Sequence, residues 1–254
     1  MSTRRLYKAE LVKYLKKPIT YVLFICLALP VFYNLSMLMD ASYISAYGTS
    51  DALLSASLNW GLLTMTGIPE VLFALVSAHI FAYELERGQI RILAVKVCDR
   101  RKIVISKWLV VVTFVFGLYV IFHIFNLVAY YTILIHTESA SGTLVNDDLM
   151  LNLRLLIADW IGLTQILFVC GITFLFSMYF KAFASFMLSV SLIISFMIMT
   201  HFPIIQYIIP SQTAWALSMY HITMESAFAL SILYLLAASL PIIFTAKKFM
   251  GKDI

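Results

Sequence analysis

Apolar residues gather into six long runs, at about residues 19–39, 60–83, 103–135, 160–180, 184–201 and 226–246. A helix rises ~1.5 Å per residue, so ~20 apolar residues cover the ~30 Å hydrocarbon core of a bilayer. Each run is therefore predicted to cross a membrane once as a helix. The third exceeds that length and is expected to tilt or to continue as a helical stem. Residues 3–17 predict a different element. Leu6, Leu11, Tyr14 and Leu15 share one flank, and Arg4, Arg5, Lys8, Lys13 and Lys16 the other. This is the pattern of an amphipathic helix lying on a membrane surface, ended here by Pro18. Residues 202–224 stay fairly apolar but are interrupted by Pro203 and Pro210. A re-entrant hairpin and an ordinary outer loop both fit that pattern.

Charge orients the runs. The basic residues cluster at Arg4 to Lys17, Arg87 to Lys107, Lys181 and Lys247 to Lys252, and only Arg154 of the 18 falls elsewhere. With one crossing per run, those four clusters alternate onto one face. Cytoplasmic loops carry excess Lys and Arg, so both termini are expected in the cytoplasm of a multi-pass plasma-membrane protein, bacterial in type. The acids show the complement, with Asp40, Asp51, Glu138, Asp147, Asp148 and Glu225 in or beside the outer segments.

Composition agrees with an all-α polytopic membrane protein. The chain has 254 residues, one domain by length, with 62% hydrophobic and 12% charged residues, and a mean hydropathy of +0.94. A soluble domain is nearer half apolar and a quarter charged. The net charge of +5 sits beside the runs, where it suits anionic lipid head groups and not nucleic acid. Cys26, Cys98 and Cys170 have neither CxxC nor zinc-ligand spacing, so no disulfide framework and no metal site is predicted. The first run is longer than a signal-peptide core and no small-x-small cleavage site follows it, so it reads as a retained span.

Few residues carry candidate chemistry. Glu70 falls near the middle of the second run, directly after Pro69. A charge near the bilayer centre costs roughly 2.5–3.5 kcal/mol on insertion scales, so Glu70 should face the bundle interior or a cavity. It fits a buried acid bonded to a neighbouring helix first, and a substrate path or gate second. Asp159 and Glu225 are expected at the outer interface, as gate residues or as anchors, with Asp159 close enough in sequence to pair with Arg154. His221 and Glu225 stand four apart and could meet on one helix face. The five histidines share no metal spacing. Residues 84–102 are charged at both ends and apolar at Ile90, Ile92, Leu93, Val95 and Val97. A short surface helix between two spans is predicted, its charged ends turned to a soluble partner or to head groups.

One family has this arrangement. Glu84, Glu86 and Gly88 at the end of the second run, Leu93 in the following helix, then Arg100, Arg101, Lys102 and Lys107 entering the third run resemble the ABC-2-type transporter permeases. Tyr7, Glu10, Leu11 and Lys13 are similar to that family's N-terminal interface helix, and the six spans and broken segment also correspond. The sequence departs from the pattern at Gln89, where Thr is common, and at Val97 or Cys98, where Pro is common. The small size resembles permeases of the bacitracin-resistance, lantibiotic-immunity and sodium-export type. The resemblance implies that Glu84, Glu86, Arg87, Gly88 and Arg91 form a coupling helix for a separate ATP-binding subunit, present in two copies, and that a second permease subunit completes a homodimer or heterodimer. ATP and Mg would be bound by that partner, since this chain has no GxxxxGK[ST] loop. Export of an amphipathic peptide, an antibiotic or another lipophilic compound is the implied function. An ion-coupled carrier acting alone would favour an inverted repeat, and an intramembrane hydrolase a GxSxG, HExxH or paired-Glu motif; none of these occurs.

Overall fold

A computed structural model describes residues 2–39, 50–97, 99–137, 140–202 and 208–251. Asp40, Cys98, Glu138, Pro203 and Lys252 lie outside the described residues. The protein is 83% helical, without strands among those residues. Among the described residues, twelve α-helices follow in order: α1 (Thr3–Leu15), α2 (Pro18–Tyr21), α3 (Ala28–Leu38), α4 (Ala52–Met65), α5 (Ile68–Ala78), α6 (Glu84–Glu86), α7 (Gln89–Lys96), α8 (Arg101–Thr132), α9 (Leu149–Phe176), α10 (Ala182–Met199), α11 (Pro210–Ser218) and α12 (Met224–Met250). A 3-10 stretch, Val22–Leu27, joins α2 to α3, and a π turn, His79–Tyr83, joins α5 to α6.

Among the described residues, six stretches are long and apolar enough to cross a membrane: Pro18–Ser36, Ile68–Glu86, Arg101–His136, Leu149–Phe176, Ala182–Met199 and Met224–Met250. The fourth is the central one. Its most apolar window is 72% buried inside the bundle, against 17% for the fifth and 28% for the first and sixth. The outer helices keep apolar side chains such as Phe32, Phe183, Leu236 and Phe244 on the surface, each at least half exposed. That surface suits lipid and not water. The core runs through the whole bundle, from Leu6 and Tyr14 on α1 through Trp60, Phe81, Val111, Phe122 and Phe174 to Phe249 on α12.

Two elements differ from the sequence reading. The second apolar run is not one helix. Gly67 takes φ +70° and divides it into α4 and α5. Left-handed backbone costs a residue with a Cβ ~1–2 kcal/mol, and Pro69 in the first turn of α5 cannot continue a helix from α4. The fourth helix starts at Leu149 and not near Trp160, because Asp148 caps it, accepting from the Met150 amide at 2.9 Å. Within 202–224, the described part contains α11, which buries Ser211, Thr213, Ala214, Ala216 and Leu217 against its neighbours.

The two ends of the bundle differ in chemistry. At one end meet the C-terminus of α6, the N-termini of α8 and α10, and the C-terminus of α12, tied by Lys107 to Glu84, by Ala182 N–H to Glu86 and by Arg101 to Met250. This is the lysine-rich end, and α1 packs across it. The other end holds α4, α11 and Arg154.

Candidate functional site

A buried ionic cluster occupies the lysine-rich end. Leu6, Glu10 and Tyr14 recur every four residues on α1, and this is the face α1 buries. Leu15, expected on that flank, is half exposed, because a spacing of one residue turns it away by ~100°. Glu10 sits opposite Lys107 of α8, Nζ to Oε2 2.8 Å, and Lys107 also reaches Glu84 Oε2 at 2.5 Å. The Lys107 side chain is fully buried. Glu84 Oε1 receives Lys13 at 2.5 Å and Lys17 at 3.2 Å, and the Tyr14 hydroxyl donates to the same oxygen. Lys17 also lies over the Tyr14 ring, 4.3 Å from its centroid. Burial, and then the Glu84 carboxylate, hold the Tyr14 phenol well above its ordinary range, so Tyr14 is a donor. Burial also lowers Lys17, against the pull of Glu84.

Local backbone aims this cluster. The π turn at His79–Tyr83 shifts the register just before Glu84 and brings the Ile80 carbonyl within 3.2 Å of the Tyr14 hydroxyl. His79 stacks on Tyr83, with ring centroids 4.5 Å apart. Glu84 thus points inward. The expectation that both acids face outward holds for Glu86 alone, which is exposed and accepts the Ala182 amide at the start of α10. Arg87 covers the Tyr83 ring at 4.4 Å. Gly88, at φ +71°, starts α7. Ile90 anchors α7 in the core, with Leu93 and Ala94 packed beside it, while Arg91, Ile92, Val95 and Lys96 face out. Of the N-terminal residues, Tyr7 bonds Thr113 of α8 at 2.8 Å, Leu11 packs against the core, and Glu10 and Lys13 join the ionic cluster.

A second polar cluster lies toward the other end. Asp159 is 2% exposed, buried between helices. Ser57 Oγ, Tyr119 Oη and His123 Nε2 all meet its Oδ2, at 3.0, 3.2 and 3.1 Å. His123 Nδ1 faces the Tyr119 carbonyl at 3.0 Å. The Tyr119 carbonyl and the Asp159 carboxylate both accept, so each ring nitrogen of His123 faces an acceptor. Ser57, His123 and Asp159 together do not form a hydrolase triad: Ser57 donates to the carboxylate, and both ring nitrogens are taken by other partners. Arg154 does not pair with Asp159. Five residues on a helix separate them by ~140°, and Arg154 instead donates to the Leu217 and Ile222 carbonyls at 3.1 and 3.2 Å and covers the Tyr220 ring. His123 carried no recognisable sequence signal, since its partner lies 36 residues away.

Glu70 is fully buried in the first turn of α5. Gln165 of α9 donates to its Oε1 at 2.9 Å, and Gln165 Oε1 accepts the Ser211 amide of α11 at 2.8 Å. Gln165 and Ser211 line a cavity of about 330 Å³ between α4, α9, α10 and α11. Glu225 is exposed in the first turn of α12, where an acid suits the helix dipole. His221 precedes the Thr223 cap of that helix, so the two do not share a helix face. No family model, no curated protein and no solved structure matches the chain.

Proposed function

We propose that this chain is the membrane-spanning permease subunit of an ATP-driven exporter. Its lysine-rich end faces the cytoplasm, as the distribution of basic residues favours. Hydrolysis belongs to a separate ATP-binding subunit, in two copies, and a second permease subunit completes the pathway. In this reading α1 is the interface helix and α7 the coupling helix, while α4 and α11 are short helices reaching into the bundle from the outer side.

The observation that carries the reading is the surface of α7. Ile92 is 64% and Val95 89% exposed, one turn apart, with Arg91 and Lys96 beside them. Apolar side chains held in the open on a helix anchored by Ile90 suit a soluble protein partner. Glu84 ties the same segment to α1, α8 and the rest of the bundle, so a partner moving α7 would rock the spans as rigid bodies. The cargo favoured by the apolar and Met-rich bundle is an amphipathic peptide, antibiotic or other lipophilic compound.

The test is co-purification of the tagged chain in mild detergent, with partners identified by mass spectrometry. An ATP-binding subunit should be recovered at constant stoichiometry and lost with Val95→Asp or Arg91→Glu, which alter the exposed face and spare the buried ions. A stable complex lacking any ATPase overturns the proposal.

A further inference from the structure

Both α9 and α12 run toward the lysine-rich end, and they touch closely at Gly171. A Cβ there would stand 3.1 Å from the Ala238 carbonyl oxygen and 3.4 Å from Pro241 Cβ. Nearer that end a cavity of about 550 Å³ lies between the two helices. Its lining changes character along the helix axes. Leu175 and Phe244 stand nearer the middle of the bundle, and Tyr179, Lys247 and Lys248 stand nearer the end. On α12 about one helical turn, ~5.4 Å, separates Phe244 from the two lysines. Lys248 Nζ lies 5.4 Å from the centroid of the Tyr179 ring, which brings ammonium and phenol together. Among the described residues neither Lys247 nor Lys248 forms an ion pair, and no carboxylate lines the cavity. Lysines in the last turn of a helix complement its dipole, which accounts for their place on α12 but not for a cavity between them and Tyr179. Tyr179 and Phe244 are both more than half exposed, so the cavity opens to the outside of the bundle, where lipid lies.

We propose that this cavity holds the head group of one anionic glycerophospholipid. Its phosphodiester accepts from the Lys247 and Lys248 ammonium groups and from the Tyr179 hydroxyl, and an acyl chain runs along Phe244 and Leu175 toward the bilayer centre. Two cations without a competing acid select negative charge. The apolar layer one turn further in matches an anion that carries hydrocarbon, and basic pockets between transmembrane helices take such head groups. The volume lies within the ~300–1,000 Å³ range of small-molecule sites. This goes beyond the permease reading. It rests on the lysine-rich end lying at a membrane face and does not depend on an ATPase.

The test uses the full chain, purified in mild detergent and stripped of lipid, with bound lipid counted by native mass spectrometry. Dioleoyl phosphatidylglycerol should bind saturably at one copy per chain, and dioleoyl phosphatidylcholine at least about tenfold more weakly, the scale of two lysines meeting one negative charge. Inorganic phosphate should not displace the phosphatidylglycerol. Lys247→Gln combined with Lys248→Gln should bring phosphatidylglycerol down to the level of phosphatidylcholine. Both lysines are exposed, so the fold should survive, with thermal unfolding as the check. Lys8→Gln combined with Lys16→Gln removes the same charge from exposed positions on α1 and should leave the binding unchanged. Equal loss in the two double variants, or unsaturable binding, overturns the site. Equal binding of the two lipids overturns the anionic head group, and displacement by inorganic phosphate overturns the lipid in favour of a free anion.

Discussion

Lys107 and Glu84 form an ion pair buried at both partners, Nζ to Oε2 2.5 Å, with Glu10 completing the ammonium's shell at 2.8 Å. A buried pair contributes little relative to an apolar substitute, but removing one partner strands the other charge. Lys107→Met should therefore cost about 3 kcal/mol, the lower end of the range for a broken buried pair, because Glu84 keeps Lys13 and Lys17 while Glu10 keeps only Lys13, at 3.8 Å. Thermal unfolding in detergent will measure it. Lys107→Met combined with Glu10→Gln should recover part of the loss, and no recovery would mean the two acids do not depend on Lys107 together.

Tyr14→Phe removes the hydroxyl from Glu84 and from the Ile80 carbonyl, and should cost on the order of 1–3 kcal/mol. Its pH dependence has a definite sign. The folded phenol lies above its ordinary value of 10.0, held there by burial and then by Glu84. The contribution is therefore fully present below pH 10 and is lost only as pH rises through the higher folded value. The stability gap between wild type and Tyr14→Phe should stay flat from pH 6 to pH 10, measured by thermal unfolding across that range. A gap closing below pH 9 would contradict the placement of Tyr14 against a charged Glu84.

Asp159→Ala leaves Ser57, Tyr119 and His123 without their shared acceptor. A loss on the order of 1–3 kcal/mol or more follows. Arg154→Met removes donors to the Leu217 and Ile222 carbonyls, and shares no partner with Asp159. The two losses should add within about 0.5 kcal/mol in a double-mutant cycle of unfolding free energies. A larger coupling would restore the pair that their closeness in sequence suggests.

Gly67→Ala should destabilise by about 1–2 kcal/mol through its left-handed backbone alone. The new Cβ would also stand 3.1 Å from Ile193 Cγ2. Gly162→Leu acts differently. Its Cβ position lies 3.2 Å from Trp60 Nε1 and 3.4 Å from Thr64 Cγ2, so larger side chains there push α4 off α9. Trp60 Nε1 donates to the Asp159 carbonyl at 3.4 Å, and Gly162→Leu should break that bond and shift Trp60 emission, read by fluorescence in Trp60-only variants.

The length and apolarity of six segments were legible because a membrane-length helix is a local property of the sequence, as was the segregation of lysine and arginine to one end. The break at Gly67 had a local signal that hydropathy overrode: a glycine followed two residues later by Pro69, the order that ends one helix and starts another. The early start of α9 was signalled by Asp148 before an apolar run. The ionic cluster was not legible, since Glu10, Glu84 and Lys107 are joined across separations of 97 and 23 residues. Nothing in periodicity states which of two nearby acids turns inward. The Asp159 cluster was missed because a carboxylate beside a tryptophan reads as interfacial, while Ser57, Tyr119 and His123 come from two other helices.

Glu84 and Glu86 leave one helical turn in opposite directions, one gripping α1 and α8 from inside and the other holding the start of α10. The segment entering α7 is thus clamped on both sides and lacks the slack of an ordinary connecting loop. A displacement of this segment would therefore bear on α1, α8 and α10 at once, through two side chains only two residues apart.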